Sequence, residues 1–462
     1  MIRIFLVASV TAAVLAIGPH TGSSAAAQQL TPSPWRRFDR SPRIEQLRRD
    51  LESGKTDTTP FWADIKSSGT PLIERLPGAT KHALVTFLYR GGPDTRNVVV
   101  FLSDFGGVRP ADHMMSRLGQ TDVWFLTVRL PSQARFIYRL SINDPLDNPF
   151  HGALMGGTLK LDELNPHRFF NIGSIAELPD APPQPWLQKP VQAGIVSDPQ
   201  TITSRLLKKD RKLWVYLPPG YEQSRSVSNL VILFDGTMYA NRLAAPTTLD
   251  NLIAAKRLSS TVVVFVETPV ETRNDEMFWN TTYADFLANE LVPWIRARYR
   301  VTKDARRVVV GGASAGGAGA TYAALRHPRV FGNVLSQSGG FFASPERNRE
   351  LAERSPLLTR ENDDRHVVEE IEDRAVTEGG WLAKLFIQEP RLPIRFYLDV
   401  GAFEADFMGG GLGALEPNRH MRDVLLAKGY EVHYQEFMGG HDYINWRGTF
   451  ADGILALIGE TR

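Results

Sequence analysis

Residues 311–320 read GGASAGGAGA, a single serine, Ser314, among glycines and alanines. Three readings compete for such a stretch: a flexible linker, a phosphate-binding loop, or the turn that carries a nucleophile. A phosphate loop ends in Lys followed by Ser or Thr, and no Lys follows here. The flanks decide between the other two. An apolar, β-branched run, Arg307–Val310, leads in, and the small-residue stretch GAGATYAAL, 317–325, leads out. That is strand, sharp turn, helix, and Gly312–Gly316 matches the G-x-S-x-G of a nucleophile elbow. Glycine is expected on both sides of Ser314, because the turn is tight and backbones approach closely.

Outward from this turn, strand-like and helix-like segments alternate. Leu213–Leu217, Leu230–Phe234, Thr261–Val266, Val334–Gln337, Ile394–Val400 and Val432–Phe437 read as strands. Helical patterns cover Thr282–Tyr299, Ala318–Leu325 and the region around Phe450–Ile458. Such alternation predicts an α/β-hydrolase-type domain over 196–462, with a mostly parallel sheet covered on both faces. Upstream the period changes. ALVTFLYR, NVVVFLSDF, DVWFLTVRLP and RFIYRLSI are β-branched and aromatic runs separated by turn residues, which predicts a small antiparallel β-sandwich over 65–160. The Pro-rich stretch 161–195 reads as a linker, and 28–64 as an N-terminal extension with a short helix near Ile44–Leu51.

The first 27 residues read as an export signal: Arg3, the apolar run Ile4–Gly18, then an A-x-A cleavage site at Ala25–Ala27. The run is shorter than the roughly 20 residues of a spanning helix, so no stable membrane insertion is expected after cleavage; an uncleaved anchor is the alternative. The chain has no cysteine, which excludes disulfides, a lipobox, Cys-ligated metals and thiol catalysis. These features place the mature protein in a bacterial periplasm. A net charge of +2 over 462 residues gives no basic field for nucleic acid.

A nucleophilic serine needs a base. In α/β-hydrolases the chain order is Ser, acid, His. His441, in Gly439-Gly440-His441-Asp442 after the strand Val432–Phe437, stands where the base belongs. His420 and His433 fall within a helix and a strand, and His327 at a helix exit. The acid should follow the strand IRFYLDV: Glu404 is preferred, Asp399 and Asp406 are alternatives, and a Ser–His dyad is a further one. The acid would hold the imidazole tautomer and stabilise the imidazolium. For the oxyanion hole, one N–H is expected from Ala315 and a second from Gly236 or Thr237, in the Asp235-Gly236-Thr237-Met238 turn.

Several blocks together resemble the enterochelin (enterobactin) esterase branch of the α/β-hydrolases. They are ILFDG at 232–236, Arg273 with Glu276, Met277 and Asn280, GASAGG at 312–317, FGNVLSQSGGFF at 331–342, GAFE at 401–404, and GGHDYINWRG at 439–448. Upstream, TDVWFLTVRLP, DELNP and APPQPW resemble the N-terminal domain and linker of the same enzymes. The resemblance implies a small-molecule partner, a ferric catecholate siderophore, and hydrolysis of its ester bonds. No metal or organic cofactor is implied, since iron would arrive with the substrate. A compact trianion with aromatic rings calls for cations and aromatic faces, so Arg273, Trp446 and Arg447 are the substrate-binding candidates, with Trp279 a weaker one. Two other readings stand beside this one. One is a feruloyl-type esterase with a carbohydrate-binding sandwich; the other is a protein that binds the siderophore without cleaving it.

Overall fold

The computed structural model describes residues 36–38, 40–75, 78, 81–102, 113–146, 158–345, 380–406 and 413–460. The predicted signal segment lies outside them. The N-terminal part begins with β1 (Arg36–Arg37) and two helices, α1 (Pro42–Glu52) and α2 (Thr59–Ser68). The start of α1 is set locally: the Ser41 hydroxyl accepts the Ile44 N–H, and Pro42 occupies the first turn, where no N–H is needed.

Nine strands follow: β2 (Leu72–Arg75), β3 (His82–Arg90), β4 (Val98–Leu102), β5 (Ser116–Arg117), β6 (Val123–Pro131), β7 (Arg135–Ile142), β8 (Thr158–Lys160), β9 (Arg168–Phe169) and β10 (Gly173–Glu177). Together with β1 they form two five-stranded antiparallel sheets. One runs β1-β6-β3-β2 with β5 on β6; the other runs β4-β7-β10-β9 with β8 on β7. Alternation along β3 explains why it is buried on both sides. Ala83, Val85 and Phe87 meet Val98, Val100, Phe136 and Tyr138 of the second sheet. Leu88 turns outward, onto Ile44, Phe61, Trp62 and Ile65 of the two helices.

Two expectations are corrected here. The stretch read as a linker supplies β9 and β10, and β10 pairs with β7 along Ser174–Glu177. The extension is also part of the sandwich: Arg36 and Arg37 pair with Arg129 and Val128 of β6.

The C-terminal part contains a nine-stranded sheet: β11 (Ile195–Val196), β12 (Gln200–Ser204), β13 (Lys209–Leu217), β14 (Asn229–Leu233), β15 (Thr261–Val266), β16 (Val308–Ala313), β17 (Asn333–Gln337), β18 (Arg395–Gly401) and β19 (Glu431–Phe437). Its order is β11-β13-β15-β14-β16-β17-β18-β19, with β12 on β13. From β15 to β19 every pairing is parallel. The helices are α3 (Ala245–Ala254), α4 (Arg273–Met277), α5 (Thr281–Phe286), α6 (Val292–Arg298), α7 (Ala315–Arg326), α8 (Trp381–Gln388), α9 (Leu415–Ala427) and α10 (Tyr443–Ile458). A π turn, Leu287–Leu291, joins α5 to α6.

The sheet is covered on both faces, as its continuous apolar strands require. One face of β14 to β18 packs on α5 to α9 through residues such as Ile232, Val310 and Phe396. The other packs on α3 and α10 through Val231, Val309, Leu335 and Tyr397. No helix among the described residues is long and apolar enough to cross a membrane.

Candidate active site

Parallel strands β16, β17, β18 and β19 lie side by side and end on the same edge of the sheet. Their C-terminal ends deliver Ser314, Ser338, Glu404 and His441 in that order. The carboxyl edge is where open α/β sheets present reactive groups.

Ser314 sits between β16 and α7 with φ 60° and ψ −125°. A non-glycine residue there is strained by about 1–3 kcal/mol, and the strain is tolerated because the flanks fix it. The Ser314 N–H donates to the Gln337 carbonyl at 2.8 Å, and the Ser314 carbonyl accepts the Gly340 N–H at 2.9 Å. The glycine requirement falls differently from the expectation. A Cβ on Gly312 would lie 2.7 Å from the Gly316 backbone. On Gly316 it would meet nothing closer than 3.5 Å, whereas on Gly317 it would lie 2.5 Å from Ser336 Oγ. The tight positions are therefore Gly312 and Gly317.

His441 Nδ1 is 2.7 Å from Glu404 Oε2. Glu404 is fully buried and His441 nearly so. The second oxygen of the acid is also occupied: Oε1 accepts the Ser338 hydroxyl at 2.6 Å and the Gly401 N–H at 2.7 Å. Ser338 Oγ in turn accepts the Trp446 indole N–H at 2.9 Å, and the Trp446 ring packs edge-on to the imidazole at 4.8 Å. With its Nδ1 proton donated to Glu404, the imidazole keeps Nε2 as the basic nitrogen. Asp406 lies in the same short helical turn, Glu404–Asp406, but the carboxylate on His441 is that of Glu404.

Asp399 is buried directly behind this chain. It accepts the Ser338 N–H at 3.2 Å and lies 3.4 Å from the Gln337 amide. Burial pushes its carboxyl up to about 7; hydrogen bonds from Thr449 and Gln337 oppose the shift, and the nearby Glu404 charge adds to it.

The Asp235–Thr237 turn faces the start of α7. Asp235 has a positive φ of 51°. A side chain on Gly236 would run into the Phe265 backbone at 2.5 Å. The N–H groups of Gly236, Thr237 and Ala315 have no hydrogen-bond partner among the described residues, so they are available to an oxyanion.

Arg273 does not point freely into solvent. Its guanidinium grips Asp235 with two bonds, Nε to Oδ1 at 2.9 Å and Nη2 to Oδ2 at 2.7 Å, and Nη2 also donates to the Ala313 carbonyl at 3.3 Å. Burial works against the charge, but the Asp235 carboxylate outweighs it and holds the guanidinium pKa above its ordinary value. Arg273 therefore ties the oxyanion turn to the strand that carries the nucleophile, in place of the open ligand contact expected.

Two other binding candidates are corrected in the same way. Trp446 is only 4% exposed and its N–H is used by Ser338, so it offers no open face. Arg447 donates to Gln184 Oε1 at 2.8 Å and lies over the Phe169 ring, which places it in the seam with the sandwich. Burial, then the nearby Arg135, lower its pKa. Trp279 packs among Trp381, Tyr322 and Phe278. Of the other histidines, His327 pairs with Asp285 and His433 with Glu431, both away from the triad.

Two residues escaped the sequence reading. Ser338 stood in a noted block, but nothing local marks a serine as an orienter of Glu404. Arg242 lies half-buried with its guanidinium 5.4 Å from the Tyr443 ring centroid and no carboxylate partner among the described residues. No three potential metal-ligating side chains come together among the described residues.

Comparison with known proteins agrees with this architecture. A family model described as "Putative esterase" matches residues 204–457, more than half of the chain, and one described as "Enterochelin esterase, N-terminal" matches 84–187. An iron(III) salmochelin esterase of Escherichia coli O6:H1 is 29% identical, over 90% of this chain and 98% of its own length. An iron(III) enterobactin esterase of Dickeya dadantii is 26% identical over 88% and 94%. Among solved structures, the ferric enterobactin esterase of Salmonella typhimurium superposes with a TM-score of 0.66 at 24% identity, covering 84% of this chain and 96% of that one.

Proposed function

The chain belongs to that esterase family, in its enterochelin esterase branch, and on that premise we propose that it is a serine hydrolase that opens the trilactone ester bonds of a ferric catecholate siderophore such as enterobactin. The observation that carries the chemistry is the 2.7 Å His441–Glu404 contact on the same sheet edge as the strained Ser314. The substrate class rests on relatives, matched over nearly their whole length, that are named for iron(III) salmochelin and enterobactin.

Ser314 Oγ attacks a lactone carbonyl while His441 Nε2 takes its proton. The developing imidazolium is held by Glu404. The carbonyl oxygen, now an oxyanion, is met by the N–H of Ala315 and one from Gly236 or Thr237. Collapse expels the alkoxide, which takes the proton from His441 and leaves an acyl-serine. Water, deprotonated by His441, then releases the linear acid. Iron enters and leaves as cargo of the ligand. Arg242, over the Tyr443 ring beside the His441 turn, has no carboxylate partner among the described residues, and its positive charge suits a catecholate trianion. We also propose that the mature enzyme works in the periplasm; the apolar run Ile4–Gly18 and the Ala25–Ala27 motif support this.

The test is incubation of the purified protein with the ferric and iron-free trilactone, following linear products by mass. Wild type should linearise the ligand and Ser314→Ala should not. A fluorophosphonate should label wild type only. Labelling without linearisation would keep the hydrolase and refute the substrate; turnover by Ser314→Ala would refute the nucleophile.

A further inference from the structure

Both turns that carry the acid and the base are built into the seam between the sandwich and the hydrolase sheet. Phe403, immediately before Glu404, is 3% exposed, and its side chain belongs to the sandwich core with Val85, Val100 and Tyr138. Ala402 and Met438, from the acid and base turns, pack on the same core. The two turns are stitched to each other: the Ala402 N–H donates to Phe437 O at 2.8 Å, and the Phe403 N–H to Gly439 O at 3.0 Å. The sandwich clasps the pair from outside. At the start of β7, the Arg135 N–H donates to Met438 O at 3.1 Å, and Arg135 O accepts the Asn445 amide at 2.9 Å. His441 thus lies between two residues held by the backbone of one sandwich residue. Asn445 also donates to Asp442, the cap of α10 and the neighbour of His441.

We propose that the N-terminal sandwich is a positioning element of the catalytic centre, and that Phe403 is its anchor: seated in the sandwich core, it fixes the height and direction of Glu404 and, through the stitched turns, of His441. Phe403 touches no reacting atom and acts only through Glu404 and His441. The physical reason is leverage. One bond separates the Phe403 residue from Glu404, so a slack Phe403 becomes a slack acid. Displacement of a catalytic group by about 1 Å can cost about 10²-fold in rate. The proposal rests on the triad reading and is independent of the siderophore.

The test uses the full-length protein and a small neutral p-nitrophenyl ester. Phe403→Ala should lower kcat by about 10- to 100-fold with KM nearly unchanged. Phe403→Leu should recover most of that loss, since it refills the core. Phe61→Ala, a matched truncation in the helix cluster outside the seam, should leave kcat near wild type even where it lowers the melting temperature. The low-field proton resonance of the His441 Nδ1–H should weaken or move in Phe403→Ala and persist in Phe61→Ala. Wild-type kcat and an unmoved His441 proton in a folded Phe403→Ala would overturn the proposal. So would equal losses in Phe403→Ala and Phe61→Ala. Should Phe403→Ala not fold, the same readouts on Asn445→Ala, which cuts the bond to Arg135 O, decide it: a kcat loss with a moved proton supports the clasp, and a wild-type profile refutes it. If Ser314→Ala retained turnover, the triad reading would fail instead, and the two failures are distinguishable.

Discussion

Ser338→Ala removes one oxygen and disturbs two bonds. The hydroxyl donates to Glu404 Oε1 at 2.6 Å and accepts the Trp446 N–H at 2.9 Å, at a site with no solvent access. The first is a bond to a carboxylate, worth roughly 1.5–3 kcal/mol. The second loss leaves an indole N–H buried without a partner, at roughly 1–3 kcal/mol. The expected destabilisation is therefore about 2.5–6 kcal/mol, large for a change of one atom. Catalysis should suffer less, because Glu404 keeps the Gly401 N–H and its bond to His441. A tenfold fall in kcat, about 1.4 kcal/mol, is expected with unchanged KM.

The reasoning has a stricter test in the double variant. Trp446→Phe removes the indole donor, so adding Ser338→Ala to it strands nothing. The two single costs should exceed the double cost by about 1–3 kcal/mol, a coupling accessible from urea unfolding followed by far-UV circular dichroism. Strictly additive costs would mean that the indole N–H does not depend on Ser338. Wild-type kcat in Ser338→Ala would mean that Glu404 needs no second support.

Glu404→Gln should lower kcat by about 10²–10⁴-fold, less than His441→Ala, and Asp406→Asn by less than threefold; steady-state kinetics that reverse the two carboxylates would relocate the acid. Asp399 predicts a pH signature: its folded pKa of about 7 lies above the ordinary 3.8, so between these values the folded state holds the extra proton and stability falls as pH rises. Asp399→Asn should abolish this loss, about 4 kcal/mol in wild type between pH 4 and 7, in denaturant titrations across that window. Arg273→Ala should lower kcat/KM for a neutral ester and for the ferric siderophore alike, because it frees Asp235 and the oxyanion turn. Arg242→Gln should weaken only the anionic substrate, by about tenfold at low salt and less at high salt; equal effects on both esters would remove Arg242 from the ligand site.

The parallel core was legible because its central strands, β14, β15, β16 and β17, are uninterrupted buried runs. Leu230–Leu233 and Thr261–Val266 have no polar alternation to confuse with a surface strand, and turn residues bound them. The short strands were not. Arg168–Phe169 and Gly173–Glu177 together hold too few apolar positions to set a period, and the prolines around them are those of a linker. The strand character of Gly173–Glu177 comes from β7, which pairs with Ser174–Glu177, and Arg168–Phe169 in turn pairs with Gly173 and Ser174. Helix α3 was missed for a related reason: APTTLDNLIA carries Pro, Thr and Asp in place of strong helix formers, and it is held by burial of Leu249 and Leu252 under the sheet.

In the site, legibility followed the distance between partners. Ser314, Glu404 and His441 each announce themselves within a few residues, because a strand end, a glycine-rich turn and a reactive side chain suffice to mark them. What orients them is assembled from afar: Ser338 meets Trp446 across 108 positions, and Arg135 meets Asn445 across 310. Composition gave Trp446 and Arg447 a chemical character but not a direction. An indole and a guanidinium beside a catalytic histidine suit an aromatic anion equally well facing inward or outward. The fold turns both inward, onto Ser338 and onto the sandwich residue Gln184. The block GGHDYINWRG is thus constrained chiefly by what lies behind the histidine: an indole for its acid's support, an amide for β7, and a guanidinium for the seam. Under the siderophore proposal, ligand specificity would come from elements that rim the sheet edge without supporting it, and Arg242, charged, lying over Tyr443 and tied to no carboxylate among the described residues, meets that description.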